Sequence, residues 1–356
     1  MNLLVACGGR SPEHAVSIQS AQNIIRQTDR VKYRVHAALI SRTGLWTVVP
    51  VPAGMSSKEM MAKLAASSAL TPFSALEKLL ADRTQTVVFP ALHGPGGEDG
   101  SLQGMLESLG LPYVGCGVTS SALGMDKVLM KQLMQTLQIP VAPYVSLTRA
   151  DYDHAEPNVI RQVEQLLSYP CFVKPARGGS SIGISRASGL ESLLQAIQTA
   201  FLHDDKILIE QEIVGREIEI GLLGNEHVSC SAPGEFVREP SFFDFHCKYL
   251  DRQLAMRIPA EVPPAALQSM LRYATTVYRE FGCAGLCRAD FFLTADGRVY
   301  CNEINTMPGF TEYSMYPSLW AAAGVSLPAL IDRLVELAID KHLQVSTLAD
   351  RSASND

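Results

Sequence analysis

Between Arg288 and Asn305 the chain carries two alternating apolar runs around Asp296-Gly297, and this segment restricts the fold more than any other. Asp-Gly between such runs signals a hairpin, because a tight two-residue turn needs positive φ at its centre. With Asp296 and Gly297 as the loop, Ala295 pairs with Arg298, and counting outward sets Asp290 opposite Glu303 and Arg288 opposite Asn305. Side chains alternate along a strand with period two, so these four share one face. Carboxylates directly opposed across a ladder lie about 5 Å apart at Cβ and repel, so a cation has to neutralise them. Magnesium fits that position, since it takes oxygen ligands and commonly shares its carboxylates with substrate phosphates. The competing reading is that Arg288 alone balances the two acids on a solvated hairpin face.

A second segment, Lys174-Pro175-Ala176-Arg177-Gly178-Gly179-Ser180-Ser181-Ile182-Gly183, follows a short strand and offers bare backbone N–H groups, two hydroxyls and a lysine. These parts suit a chain of phosphates, with Ser181 among the groups for a nucleotide. The loop matches neither the Walker A pattern nor the dinucleotide fingerprint, and by itself a solvent loop explains it equally well. Its weight comes from the hairpin more than a hundred residues later, with which it would hold Mg-nucleotide between two modules. Glu210 and Glu217 flank Gly215 and offer carboxylates for the adenosine end, though each taken singly reads as a surface group.

Elsewhere the pattern alternates. Leu3 to Cys7 reads as a strand, Gly8-Gly9 as a turn, and Val16 to Ile25 as a helix face; Val87 to Pro90 begins a second such unit, its helix running from Leu102 to a Gly110 cap, with Tyr113-Val114 as a further strand. This argues for an open, mostly parallel α/β domain. One helix is expected from Ser121 to Leu137, a crossing segment at Ile139 to Pro143, short strands at Cys171 to Lys174, Ile207 to Gln211 and Ile218 to Leu223, and helices over Leu190 to Phe201 and Pro264 to Glu280. A closing helix carries Leu330, Leu334 and Leu337, and residues 344–356 read as a frayed tail.

The net charge of −6 leaves no basic surplus for duplex phosphates, so no nucleic-acid partner is expected. No run approaches the about 18 apolar residues of a membrane span. Eight scattered cysteines, several in apolar segments, indicate a reducing, cytoplasmic setting, and Cys283 and Cys287 read as structural thiols because no matching ligand pair accompanies them.

Four motifs in order resemble the D-alanine:D-alanine ligases of the ATP-grasp superfamily: Gly8 to His14, His93 to Gly104 (HGPGGEDGSLQG), Lys174 to Gly183, and Asn302 to Tyr316 (NEINTMPGFTEYSMY). The resemblance spans about residues 3 to 342. It implies an α/β fold with α+β modules in a three-domain ATP-grasp arrangement: an N-terminal domain over 1–121, a central module over 122–213, and a C-terminal module over 214–343 whose loop at about 235–255 closes as a lid. It implies ATP and two magnesium ions, replaceable by manganese, and D-alanine as substrate. Lys127, Lys174 and Ser181 would hold phosphates, Glu210 and Ile213 would lie near adenine, Glu217 at the ribose and Lys248 at the γ-phosphate; Asp290, Glu303 and Asn305 would bind metal. Glu13, with Ser180 and Tyr249, would hold the first D-alanine's ammonium beside His93. Arg288 and the Gly309 N–H would meet the oxyanion, and Ser314 and Met315 the second D-alanine's carboxylate. For Ser314 a turn or cap role is the structural alternative. A homodimer is implied by the resemblance alone.

The resemblance further implies activation of one D-alanine as an acyl phosphate and attack by the amine of the second, serving peptidoglycan precursor synthesis. Lys248-Tyr249 and Ser314-Met315 resemble D-alanine users, whereas Ala15, where many relatives carry glutamate, and His246-Cys247 depart from the pattern. D-serine or D-lactate as second substrate, another ATP-grasp carboxylate-amine ligase, and a non-enzymatic binding module remain the alternatives.

Overall fold

The computed structural model describes residues 1–82, 85–237 and 255–353. In the N-terminal part, β1 (Asn2–Gly8) is buried along its whole length and runs parallel to both neighbours, β2 (Arg34–Ile40) and β4 (Thr86–Pro90), while β3 (Trp46–Pro50) closes the far edge antiparallel to β2. Burial on both faces explains the unbroken apolar run of β1. Helices α1 (His14–Gln27), α2 (Ser57–Ala66), α3 (Pro72–Leu80) and α4 (Ser101–Ser108) belong to this part. The sequence reading left β2, β3, α2 and α3 unassigned, and Tyr113 forms only an isolated bridge to Val88 rather than a strand. Glu13 and His93 both follow the C-terminal ends of adjacent parallel strands, where open α/β sheets present ligand sites.

The expected helix from Ser121 to Leu137 is two helices, α5 (Val118–Met125) and α6 (Lys127–Thr136). Asp126 separates them: its backbone is extended and its carboxylate accepts from the Val128 and Leu129 N–H groups, both at 3.1 Å. This cap satisfies donors that would otherwise be orphaned, and it makes Lys127 the first residue of α6. Next come β5 (Tyr144–Thr148), α7 (Arg149–Leu166), β6 (Cys171–Pro175), β7 (Ser185–Ala187), α8 (Leu190–Ala200) and β8 (Lys206–Gln211), giving an antiparallel sheet in the order β5-β8-β6-β7. The proline-rich crossing segment bonds to two sheets: Gln211 N donates to Pro143 O and Cys301 N to Pro140 O.

In the C-terminal part, β9 (Arg216–Gly224) and β10 (Ser229–Cys230) join β13 (Gly285–Leu293) and β14 (Val299–Asn305) in the order β10-β9-β13-β14. A ribbon of β11 (Glu235–Val237) and β12 (Ala255–Arg257) flanks residues 238–254, so the central part of the expected lid lies outside the described residues. Helix α9 (Pro264–Glu280) backs the sheet; α10 (Met315–Ala322) and α11 (Leu327–Ala353) follow. The expected tail is therefore helical as far as Ala353, because no glycine or proline interrupts α11 after Pro328 in its first turn. An aromatic chain ties the ends of the molecule: Phe310 meets Phe89 edge-on at 5.4 Å and Tyr316 at 5.8 Å, and all three sit in buried clusters with β1, α10 and α11.

The hairpin differs from its expected form in two places that cancel. Leu293 pairs with Val299, and Thr294 N donates to Arg298 O at 3.0 Å, so the loop has three residues, Ala295-Asp296-Gly297, with Gly297 at φ +83°. A three-residue loop alone would set Asp290 opposite Asn302. The ladder shifts between Asp290 and Phe291, however, leaving Asn302 as an extra bulged residue, and Asp290 faces Glu303 with Arg288 facing Asn305 after all.

Candidate active site

A cavity of about 570 Å³ opens where the three four-stranded sheets converge. The N-terminal part contributes Glu13, His93 and Glu98, the central part Lys127, Lys174 and the loop 178–181, and the C-terminal part Glu217, Glu219, Arg288, Asp290, Glu303, Asn305, Gly309, Ser314 and Met315. Glu210 and Ile213 also line it. Lys248 and Tyr249 lie outside the described residues.

Glu13 is 4% exposed, and its carboxylate is wedged between two loop glycines, one from the N-terminal part and one from the central part. A methyl group at Gly94 would collide with Glu13 Oε2, and one at Gly179 would stand 2.6 Å from the same atom. The Ser180 hydroxyl donates to Glu13 Oε1. Ser180 and Ser181 hold left-handed backbones, φ +51° and +60°, a conformation uncommon for side-chain-bearing residues and concentrated at functional sites.

His93 is buried, with Nε2 3.0 Å from Ser20 Oγ, and burial pushes its imidazole down to about 4, so it is neutral near pH 7. Ser20 also accepts from Phe310 N at 3.3 Å, and Asn23 Nδ2 donates to Phe310 O at 2.7 Å, so α1 holds the loop carrying Gly309. Burial, and then the nearby Glu13 carboxylate, push the Glu98 carboxyl well above the usual range, and it accepts from Gly94 N at 2.6 Å.

The expected surface position of Glu210 is corrected: it is 2% exposed, its Oε1 is 2.5 Å from Lys131 Nζ, and its Oε2 accepts from Lys174. Burial opposes its charge, yet the two ammonium groups outweigh that and bring its pKa down to about 2. Burial likewise opposes the Lys174 ammonium, and Glu210 more than compensates, so its pKa is raised. Lys127 donates to Gly178 O at 2.5 Å and stands 3.8 Å from Glu303 Oε2.

Across β9, β13 and β14 the register sets Glu219, Asp290 and Glu303 in one row. Arg288 bonds both oxygens of Asp290 at 2.7 Å and Glu219 Oε2 at 2.8 Å. The solvated-face reading is corrected in this respect: the side chains of Arg288 and Asp290 are only 16% and 14% exposed, and Lys127 shares the neutralisation. Among the described residues no three acidic, His or Cys side chains are gathered for a metal, and Arg288 bridges Glu219 and Asp290. Two facing carboxylates plus the Asn305 amide oxygen, open to a cavity, form an oxygen donor set that fits a magnesium-like ion completing its shell with phosphates and water.

Ser314 occupies the N-cap position of α10, but its hydroxyl accepts from Thr311 N at 2.9 Å rather than from the helix, and Gly309 packs against it. Sequence reasoning missed Lys131, Glu219 and Glu98. Glu219 alternates with buried Ile218 and Ile220 in the phase of Glu217, a signal present in the sequence, whereas Lys131, one helical turn after Lys127, reads there as a solvated helix lysine.

Residues 2–116 match the family model described as D-ala D-ala ligase N-terminus, and residues 133–336 match that described as D-ala D-ala ligase C-terminus. The chain belongs to the D-alanine–D-alanine ligase family. A relative from Listeria innocua, named D-alanine–D-alanine ligase, is 42% identical with 97% of each chain covered. The solved D-alanine-D-alanine ligase of Coxiella burnetii superposes with a TM-score of 0.83 at 33% identity, covering 99% of each chain. A D-Ala:D-Ser ligase from Enterococcus faecalis gives 0.79 at 31%, covering 95% of this chain and 99% of that one. Membership in the D-alanine–D-alanine ligase family implies small-molecule substrates and ATP, with the metal ions typical of ATP-grasp enzymes. Among the described residues no helix is long and apolar enough to cross a membrane.

Proposed function

We propose that this chain joins two D-alanine molecules with ATP, releasing ADP and phosphate, through an acyl-phosphate intermediate in bacterial peptidoglycan precursor synthesis. The observation that carries the reading is one cavity in which the glycine-wedged carboxylate of Glu13 shares space with Lys127, Lys174 and the facing pair Asp290 and Glu303.

ATP supplies the phosphoryl group that turns a carboxylate oxygen into part of a leaving group. Lys127, Lys174, Ser181 and the bare N–H groups of the 178–183 loop spread the phosphate charge, with Ile213 and Glu217 toward the adenosine. Glu210 acts on this set through Lys174, which it holds in place. Asp290, Glu303 and Asn305 hold the metal, taken as two magnesium ions or manganese in their place. Glu13 and Ser180 grip the first D-alanine's ammonium, leaving its carboxylate toward the phosphates; Tyr249 completes that set and Lys248 the phosphate set. The second D-alanine attacks as a free amine, its carboxylate received at Ser314 and Met315 at the start of α10, where helix N–H groups favour an anion. Arg288 and the Gly309 N–H stabilise the tetrahedral oxyanion. Neutral His93 lies beside Glu13 without adding a competing positive charge. A homodimer in the cytoplasm, and domain limits at residues 121, 213 and 343, complete the proposal.

A coupled ADP-release assay tests it, with magnesium and D-alanine alone, L-alanine alone, and D-alanine supplemented with D-serine or D-lactate. Turnover with D-alanine alone and none with L-alanine is expected. ADP release that needs D-serine or D-lactate would reassign the second substrate, and release driven only by an unrelated amino acid would sink the reading.

A further inference from the structure

Helix α6 bears two lysines one turn apart, and only Lys127 lines the cavity. Lys131 is 1% exposed, stands 2.5 Å from Glu210 Oε1, and donates to the backbone carbonyl of Asn302 at 3.2 Å. We infer that Lys131 is a positioning residue for nucleotide binding, clamping the lysine-bearing wall of the cavity to the carboxylate-bearing wall. The inference rests on the proposed ligase reading.

A buried ammonium is costly unless its charge and its N–H donors are all met, so its retention calls for a geometric return. Two consequences of its partners supply one. Glu210 is shared between Lys131 and Lys174, which keeps Lys174 from being drawn wholly onto a lone carboxylate and leaves its ammonium at the cavity wall. Asn302 is the bulged residue whose insertion sets Glu303 opposite Asp290, so a bond to its carbonyl holds the feature that aligns the two carboxylates. Lys131 thereby fixes the spacing between the groups that would bind phosphates and those that would bind metal. It touches neither, and its effect is transmitted through Glu210 and Asn302.

The test compares Lys131→Met and Lys131→Arg with Tyr278→Phe, which removes a buried hydroxyl bond to Gly224 O elsewhere in the fold and serves as a stability control. Affinity for a non-hydrolysable ATP analogue with magnesium is read by calorimetry, and KM values for ATP and D-alanine by ADP release. Lys131→Met is expected to weaken analogue binding and raise the ATP KM by about tenfold or more, with the D-alanine KM within about twofold. Lys131→Arg, which keeps the charge, is expected to recover most of the affinity, and Tyr278→Phe to lower thermal stability without changing it. Where Lys131→Met does not fold, Lys131→Gln, which removes the charge, leaves Glu210 paired with Lys174 and keeps a polar group at the buried position, carries the same expectation. A folded variant with unchanged analogue affinity, or equal losses for ATP and D-alanine, overturns the inference. Calorimetry needs no turnover, so wild-type protein that binds the analogue but releases no ADP with D-alanine would count against the ligase reading alone.

Discussion

Glu13 has no room to move, and that confinement gives the residue scale its sharpest prediction. Gly179→Ala adds a methyl 2.6 Å from Glu13 Oε2, so kcat/KM for D-alanine should fall by about tenfold or more, because misplacement by an ångström already costs that much. Arg288→Ala should lower turnover by ~10²-fold or more through loss of an oxyanion donor; near wild-type turnover would remove Arg288 from that role. The buried imidazole of His93, lowered to about 4, binds fewer protons folded than unfolded between about pH 4 and its ordinary 6.5. It therefore contributes up to about 3 kcal/mol of stability above that window, lost as pH falls through it. Glu98, raised above 4.5, has the opposite sign: its contribution is full at acid pH and declines as pH rises past its unfolded value. Thermal melts across pH 4 to 7 should show His93→Asn flattening the acid-side loss and Glu98→Gln removing the opposing trend. Among the cavity-lining residues, Asp290 follows from the hairpin spacing and Glu13 and His93 from the family resemblance. Lys131 was not, because a lysine on an amphipathic helix ordinarily reads as solvated, and only the tertiary approach of Glu210 and Asn302 reveals its burial.

At the scale of elements, local patterns carried most of the reading and failed where a single polar residue or an extra residue decided the outcome. The helix over Pro264–Glu280 and the strand beginning at Cys171 follow directly from periodicity. The break at Asp126 does not, since aspartate inside an apolar pattern signals a cap only once its carboxylate is seen on the next turn. Asp126→Ala should cost about 1 kcal/mol for the lost cap, and more because Lys206 loses its partner. It should also raise the ATP KM by loosening the turn that carries Lys127; a melting shift with unchanged ATP KM would separate the cap from the site. The hairpin face was legible although its turn was not. Period two preserves the face as long as insertions come in compensating pairs, here one residue in the loop and one at Asn302.

For the molecule as a whole, the functional groups come from three parts of the chain that meet at the site, in the buried core that β1, β4 and Phe310 share with α11, and at the crossing segment at Pro140 and Pro143. Sequence order gave the parts of this arrangement, while their convergence on one cavity is a tertiary fact that no local pattern contains. In the proposed reaction this cavity activates a D-alanine carboxylate by phosphoryl transfer before the amine attacks. The most direct measurement uses D-alanine labelled with ¹⁸O in its carboxylate and mass analysis of the released phosphate. One labelled oxygen in phosphate for each dipeptide formed is the predicted result, since the bridging oxygen leaves with phosphorus when the amine displaces it. Dipeptide formed alongside unlabelled phosphate would contradict it.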